Sequence, residues 1–137
     1  MSRLILLFLF LIFSACSSIT PNAALKNTYW SLVELNNQDS SNAEHQPEVH
    51  LLFHLNDKSL HGSDGCNQIR ATYTKEGEHF NFHEIISTRL FCEEGMDQAQ
   101  AFLQALGKTD QLVIIENEMF LYQNGLKIAV FEAKEDY

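Results

Sequence analysis

Positive charge is scarce in this 137-residue chain: nine lysines and arginines face eighteen aspartates and glutamates, for a formal net charge of −9. A surface for nucleic acid or for anionic lipid headgroups needs a positive patch, so neither is expected as a direct partner. Long runs of like charge, internal repeats and any sign of a second domain are missing too. The three cysteines include no C-x-x-C pair, which removes the usual spacing of a zinc site. His83-Glu84 opens like the zinc-protease helix motif, but position 87 holds Ser87 where that motif needs histidine. Gly62-Ser63-Asp64-Gly65-Cys66-Asn67 has loop glycines, yet no Lys-Ser/Thr pair follows to make it a phosphate loop. Nor does a cysteine-nucleophile signature surround Cys66. These absences lead us to expect no catalytic residue, no metal site and no cofactor.

One long apolar run is present. Leu4 to Phe13 follows Arg3 and precedes Ser14, Ala15 and Cys16. The run is short for a bilayer span and lacks the polar face of a core helix, so it reads as a signal peptide. Phe13-Ser14-Ala15-Cys16 resembles the bacterial lipobox, in which the cysteine is lipidated and becomes the new N-terminus. Ordinary secretory cleavage after Ala15 is the alternative. Several acyl chains would hold the protein stably on a membrane. Ser17 follows where inner-membrane lipoproteins carry aspartate, so the resemblance implies the outer membrane, facing the periplasm.

Lipidation of Cys16 would leave Cys66 and Cys92 as an even pair in an oxidising compartment, and a disulfide between them is expected. Closing that loop contributes about 3.5 kcal/mol in the chain-entropy model, less any strain. Arg3 leaves with the leader, which makes the mature chain more acidic still.

The expected organisation is a signal peptide over 1–15, a tether over 16–26 and one domain over 27–133. Strands are predicted at 29–35, 49–55, 59–62, 69–75, 79–85, 111–116, 118–123 and 126–133, from alternation and aromatic or β-branched content. Asn36 to Pro47 reads as a polar loop. Asn124-Gly125 is the strongest hairpin signal, because both central positions of that turn need positive φ. Between 96 and 106 the period changes: Met96, Ala99, Phe102, Leu103 and Leu106 recur at helical spacing, with Gly107 placed as the C-terminal cap. The fold class is therefore α+β, a curved antiparallel sheet or partly open β-barrel of seven to eight strands with one α-helix.

Trp30-Ser31-Leu32, then Gly62-Ser63-Asp64-Gly65-Cys66-Asn67, then Ser87-Thr88-Arg89-Leu90-Phe91-Cys92 occur in this order. This succession resembles the META domain family, also called HslJ-like, over about residues 27 to 132. The resemblance implies a small curved antiparallel sheet with one helix, and no established catalytic activity. It implies that Trp30, Gly62, Gly65, Asn67, Ser87 and Thr88 specify the fold. It also implies a place among heat-shock and stress-linked envelope proteins, with other envelope proteins as partners and the membrane reached through the lipid anchor. A carrier of an apolar ligand in the open end of the barrel is the second functional reading; Trp30, Phe80, Phe82 and Phe102 would line its cavity, although core packing is the default for them. Histidines 50, 54, 79 and 83 would gather into a metal patch if their two strands were neighbours, but such histidines are more often simply exposed polar positions, and that is the reading taken. Glu93 and Glu94 are placed to favour the helix N-terminus, and Arg89 to pair with an acidic neighbour.

Overall fold

The computed structural model describes residues 21–134. Nine strands and one helix follow in the order β1 (Tyr29–Leu35), β2 (Gln38–Asp39), β3 (His50–Phe53), β4 (Ser59–Ser63), β5 (Gln68–Glu76), β6 (His79–Ser87), α1 (Met96–Lys108), β7 (Gln111–Ile115), β8 (Glu118–Gln123) and β9 (Leu126–Lys134). Each predicted strand forms, and β2 is an addition within the predicted loop. It arises because Asn36 and Asn37 both take positive φ, 51° and 62°, making a tight turn that sets Leu35 opposite Gln38. Asn124 and Gly125 make the same kind of turn, with φ of 50° and 77°.

The strands pair antiparallel in the order β2-β1-β3-β4-β5-β6-β7-β8-β9, and β9 returns to β1. The ring is weak at one place. β6 and β7 share the single register pair His79 and Gln111, flanked by backbone bonds from Phe80 N to Asp110 O (3.0 Å) and from Leu112 N to Glu78 O (2.9 Å). The chain between these strands is α1, which packs against β6. The architecture is thus a curved sheet, incompletely closed, with its helix beside the opening.

Alternation fills the interior. Leu51, Phe53, Phe80, Phe102, Met119, Leu121 and Phe131 are completely buried. The helix contributes Ala99, Phe102, Ala105 and Leu106, a single stripe at helical spacing. Gly107 is not the cap: α1 runs past it to Lys108, and Thr109 ends the helix with its N–H on Leu106 O and its Oγ1 donating to Ala105 O at 2.9 Å. Leu55 departs from expectation as well. β3 ends at Phe53, so Leu55 escapes the alternation and is 63% exposed.

Residues 22–26, read as the end of the tether, are fastened to the fold. Asn22 and Ala23 bond to the β7–β8 turn, and Lys26 bridges to Phe53. Cys16 and the leader lie outside the described residues. Among the described residues, no helix is long and apolar enough to cross a membrane.

Candidate functional site

β4 leads into the turn Asp64–Asn67, and β5 leaves it. Asp64 lies at the centre of the turn, 1% exposed. Its Oδ1 accepts the backbone N–H of Cys66 at 2.9 Å and that of Asn67 at 2.5 Å, while its own N–H donates to Asn67 O at 3.0 Å. Its Oδ2 is buried with no hydrogen-bond partner among the described residues. Gly65 takes φ of +93°, which a side chain would strain. Gly62 answers a different need. Opposite Leu51 in the β3–β4 pair, a Cβ there would stand 2.1 Å from His50 O.

From this turn, Asn67 reaches across to the segment after β6. Its Oδ1 accepts from Thr88 Oγ1 at 2.8 Å and from Leu90 N at 2.7 Å. Thr88 Oγ1 in turn accepts from Gln68 N at 3.2 Å, and Thr88 N donates to Gln68 O at 3.1 Å. Ser87 Oγ donates to Thr88 O at 2.9 Å. The Cys66–Cys92 disulfide, with Cα atoms 6.0 Å apart, closes the far side. Trp30 lies elsewhere, fully buried on β1, with Nε1 donating to Leu25 O at 3.0 Å. The two loop motifs therefore meet in one braced corner, and Trp30 fastens the chain entry to the core.

What the corner displays was not foreseen from the sequence. Leu90 is 63% and Phe91 83% exposed, immediately beside the disulfide. Between their loop and α1 runs a groove of about 430 Å³, lined by Leu90, Phe91, Met96, Ala99 and Leu103 and by Arg89. Two apolar residues in a loop without periodicity were the available signal. Asp64 before Gly65 has the chemistry of an Asx turn, the signal that could have found it, whereas its burial has no local signal. Among the described residues, Arg89 has no acidic partner within ion-pair distance. Glu93 and Glu94 precede Gly95, the N-cap at φ 79°, and Asp97 is the acidic residue within the first turn.

The four-histidine patch, which required the two strands to be neighbours, does not form. β3 and β6 are separated by β4 and β5, so His50 and His54 are held apart from His79 and His83. Another histidine pair forms instead. His54 Nε2 and His61 Nδ1 lie 2.7 Å apart, His54 Nδ1 is 2.8 Å from Ser59 Oγ, and Ser59 Oγ donates to Asp57 Oδ1 at 2.6 Å. The bonds from Ser59 hold the Asp57 carboxyl below its ordinary value, so it accepts as a carboxylate. Ser59 spends its proton there and so accepts from His54 Nδ1–H; in that tautomer His54 Nε2 is the acceptor for His61 Nδ1–H. This is the reverse of a hydrolase triad, in which serine donates to histidine. Burial, and then His54, His50 and Arg70, hold His61 below its ordinary value.

Trp30, Phe80, Phe82 and Phe102 all belong to the core cluster. Phe53 sits among Tyr73, Phe80 and Phe82, with ring centroids 5.3, 6.1 and 6.3 Å away, and Phe102 contacts Phe131 at 6.0 Å.

Two solved structures share the architecture. An NMR structure of a protein from Burkholderia xenovorans superposes with a TM-score of 0.66 at 20% identity, covering 81% of this chain and 84% of that one. A second NMR structure gives a TM-score of 0.63 at 14% identity, over 79% of this chain and 90% of that one. At these identities the likeness shows the fold alone. No curated protein matches the chain. The family model of the META domain matches residues 23–135, nearly the whole of the described fold. With its braced corner, its ring of antiparallel strands and that match, the chain belongs to the META domain family.

Proposed function

We propose that this META domain is a non-catalytic interaction module, held by a lipid on Cys16 at the periplasmic face of the outer membrane and serving stress tolerance or assembly. The observation that carries the reading is the use of the motif residues. Asp64, Asn67, Thr88 and the disulfide are spent on bracing a loop that displays Leu90 and Phe91 beside a groove. A loop backbone braced at Leu90 and Cys92 loses little conformational freedom on contact, which favours a recognition surface for a protein partner.

The histidine relay supports the same reading, since its serine is oriented as an acceptor and not as a nucleophile. The carrier reading draws less support, because the aromatics that would line a cavity pack against one another. Two experiments test the proposal. Labelled palmitate should enter the wild-type chain and not Cys16→Ser; label persisting on the variant contradicts the anchor. A photo-crosslinking phenylalanine at position 91 should give one discrete envelope-protein adduct in cells, suppressed by Leu90→Asp on the same chain. The absence of any discrete adduct, or one indifferent to Leu90→Asp, contradicts the contact surface.

A further inference from the structure

The first described residues do not leave the fold freely. Asn22 Nδ2 donates to Ile114 O at 3.1 Å, and Asn22 Oδ1 accepts from Glu116 N at 2.8 Å. Ala23 N donates to Glu116 O at 2.7 Å. Lys26 bridges to Phe53, and its Nζ donates to the carbonyls of Leu55 and Asp57 at 3.2 and 3.0 Å. The chain thus enters at one end of the strand ring. The β7–β8 turn, the end of β3 and the pair Tyr29–Lys134 all lie there. The braced corner lies at the other end, because Ser63 pairs with His50 while Leu60 pairs with Phe53.

We propose that the anchored domain stands with the end carrying Leu55 and Ile115 toward the bilayer, and with Leu90 and Phe91 facing away from it. This rests on the acylation of Cys16 proposed above. Five residues, Ser17 to Pro21, separate Cys16 from the stitched Asn22. Even fully extended, that link spans only about 20 Å. The length of β4 then sets the corner on the order of 15 Å further out. Leu55 and Ile115, 63% and 54% exposed, are the apolar side chains next to the stitched entry of the chain. No positive patch is needed there, because the acyl chains supply the membrane affinity. The corner consequently meets a protein reaching in from the periplasm, and not the lipid surface.

The test uses the mature chain from residue 16, which contains every residue of the described fold. Its Cys16 is the one thiol outside the disulfide, so a maleimide lipid can be coupled there whether or not cells acylate it. In phosphatidylcholine nanodiscs doped with a gadolinium lipid, amide signals of Leu55 and Ile115 should broaden severalfold more than those of Gly65, Leu90 and Phe91. A Gly-Ser stretch doubling the tether, inserted after Ser18, should erase that difference. Equal broadening at both ends, stronger broadening at Phe91, or indifference to the insertion overturns the orientation. The mass of Cys16 in the protein from cells judges acylation separately: an unmodified cysteine sinks the anchor without altering the result on the coupled chain.

Discussion

Asp64 serves two buried backbone donors through a single oxygen, so Asp64→Ala strands the N–H groups of both Cys66 and Asn67. Each unsatisfied donor costs roughly 1–3 kcal/mol. Asp64→Ala should therefore lower unfolding free energy by about 2–4 kcal/mol in urea titrations, whereas Asp64→Asn, which keeps an acceptor, should lose less; equal losses would discredit the two-donor account. His61 makes a pH prediction at the same scale. Its pKa in the fold lies below the ordinary value of 6.5, so between the two values the unfolded chain binds more protons. Stability from this group is complete above pH 6.5 and is lost as pH falls through the folded value. The neutral variant His61→Gln should flatten that part of a Tm-against-pH curve, and an unchanged slope would count against the assignment. Little of this was legible beforehand. Gly62 and Gly65 announced a loop, but the partners of Asn67 lie more than twenty residues on.

Among the elements, the readable ones were those whose signal is local. Alternation marked β5 and β6, and Asn124-Gly125 marked the turn joining β8 to β9, because period and turn chemistry act between near neighbours. The β1–β2 turn lies inside the stretch that reads as a polar loop, though the two positive φ angles of Asn36 and Asn37 follow the same chemistry. Strand adjacency is different in kind. Whether β3 lies beside β6 is decided by the long-range order of the ring, and that order dissolved the four-histidine patch. The thin β6–β7 pairing makes α1 an important support for its side of the core. Phe102 is fully buried and meets Phe131. Phe102→Ala should cost about 3–5 kcal/mol, with amide exchange rising first in β6 and β7; a loss below 1 kcal/mol would mean that the helix is an accessory. By contrast, Leu126→Ala, at a 72% exposed position, should change stability by less than about 0.5 kcal/mol.

For the whole molecule, acidity, the disulfide and the entry of the chain combine into one account. The net charge of −9 keeps the surface unattractive to anionic polymers, while Leu90 and Phe91 give one apolar feature on a rigid mount. Reduction of Cys66–Cys92, or Cys92→Ser, should remove about 3 kcal/mol of stability and loosen the Leu90–Phe91 loop. The most direct measurement compares survival of envelope stress in cells whose only copy carries Phe91→Asp with cells carrying His61→Ala, with Tm measured on both purified proteins. The account predicts that Phe91→Asp keeps its Tm within a few degrees yet loses protection, and that His61→Ala protects like the wild type. Full protection by Phe91→Asp, or a folded His61→Ala that protects nothing, would contradict it.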